Sequence, residues 1–311
     1  MPLSEFSLID RFFTRQRIHN PSTTLHIGDD CALLDLPSGY ELAITTDTMV
    51  ENIHFFKHTD PKQLGHKLLA VNLSDLASMG AKPLSVTLAL TLPKVEEHWL
   101  EQFALGFLTL AERHNVDLIG GDTTQGSLTL TVQALGLVPK GRALKRCNAK
   151  IGDLIYLSGN IGDAGLGLKI MQGYSCAEPD TALKQFHTPE PQCETGLALL
   201  GIANACIDIS DGLASDLGHI LRLSKVGACI DWQKLPLSNA VLNYIAETND
   251  ALMPLTAGDD YQLCFTVSPD NAALVPKHCT QIGVIQAEHG LRLNKSGNIH
   301  TLEVKGYEHF S

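Results

Sequence analysis

Ser85-Val86-Thr87-Leu88-Ala89-Leu90-Thr91-Leu92 alternates valine or leucine with serine, threonine or alanine, which is the two-residue period of a half-buried β-strand. Ahead of it, Leu64, Leu68, Val71 and Met79, joined by Leu69, Leu73 and Leu76, recur at helical spacing and form a wide apolar face. Further upstream, Glu41-Leu42-Ala43-Ile44-Thr45-Thr46 reads as another strand. Downstream, a helix is expected over Glu96 to His114, and a strand over Leu128 to Leu135 after the glycine pair Gly120-Gly121. Helices and strands are interleaved, yet the strands are long and partly alternating. An α/β chain of layered α+β type fits this better than a parallel sheet buried on both faces.

The polar, turn-rich run Val138 to Lys150 interrupts this pattern and suits a domain junction. Asp153 to Ser158 restarts with a strand, and Gly159-Asn160-Ile161-Gly162 leads into a helix. A strand–loop–helix unit follows over Ile207 to Ser224, with strands at Leu263–Val267 and Gln281–Ile285. Gly173–Pro191 reads as an exposed loop or an interrupted helix. The 311 residues accommodate two domains at ~150 residues each, set here at 1–140 and 141–311.

Composition narrows the function. Lys+Arg 23 against Asp+Glu 34 gives a net charge of −11, which disfavours a nucleic-acid partner. No apolar run approaches the ~20 residues that span a bilayer, and Met1 to Phe6 lacks the regions of a signal peptide, so a cytoplasmic protein is expected. The eight cysteines include no C-x-x-C pair, and the thirteen histidines show no zinc spacing. Soft-metal chemistry is therefore disfavoured.

The acids are placed more tellingly than they are numbered. Gly28-Asp29-Asp30, Thr45-Thr46-Asp47, Gly120-Gly121-Asp122, Asp208-Ile209-Ser210-Asp211-Gly212 and Gly258-Asp259-Asp260 put aspartates at expected loop tips and strand ends. Asp75 lies inside the first long helix with Asn72 three residues earlier on the same side. Taken singly, Gly-Asp pairs are turn chemistry. As a set they are not, because Asp75 is in no turn and Thr45-Thr46-Asp47 closes an apolar strand. Hard oxygen donors beside hydroxyls suit magnesium bridged by phosphate, as a nucleotide triphosphate requires. No calcium-loop spacing and no Walker A loop occurs. Gly159–Gly162 before a helix is either an anion site or a plain turn. Arg142, Lys145 and Arg146 form a basic cluster that is either a phosphate contact or a solvated linker.

These blocks resemble the thiamine-monophosphate kinase family, within the superfamily that includes aminoimidazole ribonucleotide synthetase. The matching segments run from Glu5-Phe6-Ser7-Leu8-Ile9 through Gly28-Asp29-Asp30, Thr45-Thr46-Asp47, Asn72-Leu73-Ser74-Asp75, Gly120-Gly121-Asp122 and Asp208-Ile209-Ser210-Asp211-Gly212 to Lys305-Gly306-Tyr307. The resemblance implies transfer of the γ-phosphoryl group of ATP to thiamine monophosphate. It implies a two-domain fold like that of aminoimidazole ribonucleotide synthetase, with an N-terminal ATP- and metal-binding domain whose mixed sheet pairs in a homodimer, and a C-terminal α/β domain closing over nucleotide and substrate. Asp30, Thr45, Thr46, Asp47, Asp75, Asp122, Asp208 and Asp211 would hold several Mg2+ ions. Gly121, Asp122, Arg146 and Ser210 would contact ATP, and His54, Asp259 and Tyr307 the thiamine phosphate.

An acceptor phosphate has its second pKa near ~6 and is already a nucleophile at neutral pH. The resemblance therefore implies no catalytic acid–base residue, only positioning and metal-assisted transfer. Two departures from the family stand out: Asp259 and Gln262 occupy positions where it usually has glutamates. Val304 also stands where some relatives carry an aromatic, leaving Tyr307 as the stacking surface. The alternatives are a synthetase of the same superfamily, activating an amide or selenide with ATP, and a non-catalytic magnesium–nucleotide sensor. Cys31 lies inside the Gly-Asp-Asp block with acids before it and no lysine beside it, and the segment His309-Phe310-Ser311 carries no cysteine, which argues against the selenophosphate and hydrogenase-maturation branches.

Overall fold

A computed structural model describes residues 5–14 and 16–303. Two compact units emerge, one within Met1–Leu76 and Ala81–Gly141, the other within Ala77–Gly80 and Arg142–Ser311.

The first unit runs α1 (Glu5–Phe12), β1 (Thr23–Leu25), β2 (Leu33–Leu34), β3 (Tyr40–Val50), α2 (Pro61–Ser78), β4 (Lys82–Leu92), α3 (Glu97–Arg113), β5 (Asp117–Gln125) and β6 (Thr129–Pro139). Four strands form a mixed sheet in the order β3-β6-β4-β5, in which β4 and β5 are parallel and the other pairs antiparallel. The alternation read in the sequence is realised in β4: Val86, Leu88, Leu90 and Leu92 are 4% exposed or less. They share a face with Leu130, Val132 and Ala134 of β6 and with Thr45 and Asp47 of β3. Helix α2 lies on that face and buries Leu64, Leu68, Leu69, Leu73 and Leu76, each contributing ~2 kcal/mol on removal from water. Helix α3 packs on α2 at closest range where Gly65 meets Gly106: a Cβ at Gly106 would stand 1.9 Å from the Lys62 carbonyl oxygen, and one at Gly65 2.2 Å from that of Phe103. Trp99, Phe103 and Phe107 stack at successive turns of α3, with centroids 5.1 and 6.2 Å apart.

The second unit comprises β7 (Leu154–Leu157), α4 (Asp163–Met171), α5 (Asp180–His187), α6 (Cys193–Ala198), β8 (Ala203–Asp208), α7 (Leu213–Ser224), β9 (Gly227–Asp231), α8 (Asn239–Thr248), α9 (Met253–Thr256), β10 (Leu263–Val267), β11 (Thr280–Gln286), β12 (Gly290–Lys295) and β13 (Asn298–Leu302). Its sheet is also mixed, ordered β13-β12-β9-β11-β7-β10-β8, with β12 parallel to β9. Ile155, Leu157, Ile207, Cys264 and Ile282 from the strands pack with Leu213, Leu217 and Ile220 of α7 in one core.

Some boundaries differ from the sequence expectation. Strand β3 continues past Asp47 to Val50 because Thr46 and Thr48 keep the two-residue alternation going. Gly120, Gly121 and Asp122 lie inside β5, not at a loop tip. Glycine is a poor strand former, but a Cβ at Gly121 would stand 1.9 Å from the Leu88 carbonyl oxygen, so the close approach of β4 demands it. Helix α5 occupies part of Gly173–Pro191. Among the described residues no helix is long and apolar enough to cross a membrane.

Candidate active site

Strand alternation sends Thr45 and Asp47 to the face of the N-terminal sheet that α2 covers and turns Thr46 to the other. Helix α2 answers with Asn72 and Asp75, three residues apart. The Thr45 hydroxyl donates to Asp75 Oδ2, and the Asp47 N–H donates to Asn72 Oδ1 at 3.2 Å. Asn72 is fully buried, and its Nδ2 donates to the Leu68 carbonyl at 3.0 Å, which fixes the amide. Burial, and then the neighbouring Asp75 carboxylate, push the Asp47 carboxyl up to about 6. Two acids facing one another on an apolar base are costly as a pair of anions, and a cation relieves that cost.

The other N-terminal positions surround this cluster unevenly. His54 sits in the turn after β3, where its Nδ1 accepts the Val50 N–H at 3.0 Å, leaving Nε2 to carry the proton of the neutral ring. Asp30 lies in an exposed turn, its N–H donating to Asp29 Oδ1 at 2.8 Å. Asp122 is exposed on β5, with β6 and β4 between it and β3, roughly 14 Å across three strand spacings. The fold thus gathers Thr45, Asp47 and Asp75 and leaves Thr46 and Asp122 outside that cluster.

In the second unit β8 ends at Asp208, which is 2% exposed, and the chain turns through Ile209 to Gly212 into α7. The segment Gly258–Tyr261 lies directly alongside. The Asp259 N–H donates to the Ser210 carbonyl at 2.9 Å and the Tyr261 N–H to the Ile209 carbonyl at 2.8 Å, while the Ile209 N–H donates to the Gln262 carbonyl at 2.8 Å. Asp259 and Tyr261 both adopt positive φ, 67° and 48°, and the Tyr261 hydroxyl donates to Asp259 Oδ1 at 2.9 Å. Left-handed backbone at two non-glycine residues costs about 1–3 kcal/mol each, a strain the pairing with 209–210 sustains. Ser210, Asp211 and Asp259 are thereby brought together. Arg146 is anchored nearby, its carbonyl accepting the Ser224 hydroxyl at 3.3 Å and its charge acting on Asp216 and His219 of α7. Tyr307 and Val304 lie outside the described residues.

Two features singled out in the sequence are located here. The turn Gly159–Gly162 is not an open anion site: Asp260 fills it, accepting the Gly162 N–H at 2.6 Å and the Ala164 N–H at 3.2 Å. Gln262 is buried, its Oε1 accepting the Ser158 hydroxyl at 2.7 Å, so this departure falls on an internal contact.

Residues 28–138 match the family described as AIR synthase related protein, N-terminal domain, and residues 150–295 match its C-terminal domain. The thiamine-monophosphate kinase of Haemophilus influenzae is 47% identical over 100% of this chain and 99% of its own. The chain belongs to the thiamine-monophosphate kinase family. Among solved kinases of this family, that of Stenotrophomonas maltophilia superposes with a TM-score of 0.86 at 40% identity, covering 94% of this chain and 98% of that one. AaThiL complexed with AMPPCP and TMP gives 0.79 at 30% identity, covering 98% and 97%.

Among the described residues of this family member, no three His, Cys, Asp or Glu side chains form a ready-made metal cage. Magnesium takes one or two carboxylates and completes its shell with water and phosphate oxygens. The hard oxygen donors at Thr45, Asp47 and Asp75 fit such an ion. Sequence reasoning missed one buried acid, Asp216, and gave no role of its own to another, Asp260 of the Gly258-Asp259-Asp260 block; the partners of both are backbone amides. For Asp216 a signal existed: an acid in the first turn of a helix that follows Ser210-Asp211-Gly212 is well placed to cap that turn.

Proposed function

We propose that this kinase transfers the γ-phosphoryl group of ATP to the phosphate of thiamine monophosphate, releasing ADP and thiamine diphosphate. A bond forms between an acceptor phosphate oxygen and Pγ as the bond from Pγ to the β,γ-bridging oxygen breaks, the electron pair leaving on ADP. The observation that carries this reading is the cluster of Thr45, Asp47 and Asp75, two carboxylates and a hydroxyl held together by a strand and a helix. Full-length similarity to thiamine-monophosphate kinases supports it, as does a relative bound to AMPPCP, a non-hydrolysable ATP analogue, together with TMP.

Asp30, Thr45, Thr46, Asp47, Asp75, Asp122, Asp208 and Asp211 are the residues that would hold magnesium. Magnesium, when bound, supplies the positive charge that lets two anionic molecules approach. Arg146 pairs with phosphate oxygens, and Gly121, Asp122 and Ser210 border the nucleotide. His54, pinned at Nδ1, would donate from its ring to the acceptor phosphate. Asp259, held by the Tyr261 hydroxyl, offers a carboxylate to the cationic thiamine ring, and Tyr307 a stacking face. The acceptor is already ionised, so no side chain removes a proton.

The uncovered face of the N-terminal sheet supports pairing with a second copy. Ile44 is 58% exposed there beside Thr46, Thr48 and Gln133, an apolar and hydroxyl-rich strip suited to a homodimer. Cytoplasmic ATP supplies the donor. Purified protein given Mg2+, ATP and thiamine monophosphate should yield ADP and thiamine diphosphate in equal amounts. ATP hydrolysis without thiamine diphosphate, or turnover only with an amide substrate or selenide, would overturn the reading.

A further inference from the structure

Helices α4 and α7 both begin after glycine-bearing turns, the kind of place where open backbone amides take up phosphate in many nucleotide-binding proteins. In this chain both sets of amides are filled from within. Asp260 caps the turn before α4. At α7 the filling is more complete: Oδ2 of Asp216 accepts the N–H of Ser210 at 3.1 Å, of Asp211 at 3.0 Å and of Gly212 at 3.1 Å. Asp216 itself is 2% exposed, so its carboxylate faces the loop and not solvent. Three successive amides converging on one oxygen leave the stretch from Ser210 to Gly212 little freedom. Its Ser210 carbonyl in turn accepts the Asp259 N–H.

We propose that Asp216 is a positioning residue of the nucleotide site. Its carboxylate occupies the amides that would otherwise grip a phosphate and sets the backbone so that Asp208, Ser210 and Asp211 present side-chain oxygens. The second unit thereby holds the triphosphate through cations and hydroxyls, with the amides reserved for an internal anion. This rests on the assignment of Asp208, Ser210 and Asp211 to nucleotide and metal.

A helix cap of purely structural value would lower the melting temperature when removed, yet leave the folded protein's affinity for nucleotide unchanged. The two roles separate in titration calorimetry of AMPPCP with Mg2+ into the full chain, run well below each variant's melting temperature. Asp216→Ala should bind AMPPCP about tenfold more weakly or worse, the scale of one lost charge-assisted bond. Added sodium formate, a carboxylate small enough for the vacated place, should recover part of that loss in the variant and do nothing for the parent chain. Asp216→Asn keeps an acceptor oxygen without the charge and should lose affinity by about threefold to tenfold, which covers the case of an alanine variant that does not fold. Affinity within twofold of the parent chain in either folded variant, or a loss in Asp216→Ala that formate leaves untouched, would overturn the proposal. If the parent chain binds AMPPCP but makes no thiamine diphosphate, the proposed reaction fails while the role of Asp216 stands. If it binds no AMPPCP, both fail.

Discussion

Asp75 is the side chain on which the N-terminal cluster turns, because it faces both the Thr45 hydroxyl and the Asp47 carboxyl. Replacing it by asparagine keeps shape and hydrogen-bonding capacity and removes the charge. Asp75→Asn should therefore fold with a melting temperature close to the parent's and lose about 100-fold or more in kcat, as for loss of a principal electrostatic group. Steady-state rates at saturating Mg·ATP check this, and activity within a few-fold of the parent would refute the role. Asp260 makes a second prediction. Burial pushes its carboxyl up to about 8, opposed by the amides of Gly162 and Ala164. The folded chain then binds more protons than the unfolded chain between the ordinary value of 3.8 and about 8, so this group's contribution to stability falls as pH rises through that window. Thermal melts of the ligand-free protein should decline from pH 6 to pH 8, and Asp260→Asn should flatten the decline. An unchanged slope would contradict the assignment. Asp47, Asp75, Asp211 and Asp259 were legible in the sequence because each sits in a short recognisable block. Asp216 was not, and the internal capping role of Asp260, which shares the block of Asp259, was not either, because amide partners carry no residue identity and only the folded loops bring them into range.

Helices α2 and α3 were legible as elements from their apolar spacing, but their mutual packing was not. It depends on Gly65 and Gly106, whose lack of a side chain reads in sequence only as lowered helix propensity. Gly106→Ala would place a methyl 1.9 Å from the Lys62 carbonyl oxygen. The helices must part, and unfolding free energy should drop by roughly 3 kcal/mol despite alanine's better propensity. Urea denaturation measures it, and a neutral or stabilising change would show that the contact yields cheaply. Strand β5 teaches the reverse lesson. Gly120-Gly121 argues locally for a loop, yet the neighbouring strand requires a residue without a Cβ there, and tertiary contact overrides propensity. Segment 173–191 and the hairpin of β12 and β13 were missed or left open for a related reason. Their short apolar runs are stabilised by neighbours far away in the chain.

For the molecule as a whole, layers of helix and strand were foreseeable from interleaved elements, whereas strand order and the mixed sheet of the second unit were not, since pairing between distant strands leaves little local trace. The exposed face around Ile44 leads to a prediction at this scale. The protein should sediment as a dimer, and Ile44→Glu should shift it toward monomer at micromolar concentration by placing charge on the apolar strip. A parent chain that sediments as a monomer would remove that surface from the account. The central claim is that acidic side chains hold two repelling anions through divalent cations, in numbers beyond the one ion that accompanies ATP. It is tested most directly by following thiamine diphosphate formation as free Mg2+ is raised at a fixed, saturating concentration of Mg·ATP. The rate should keep climbing well past one equivalent of Mg2+ per ATP, and Asp75→Asn and Asp211→Asn should abolish that climb. A rate already maximal at one equivalent, or one that persists in excess chelator, would contradict it.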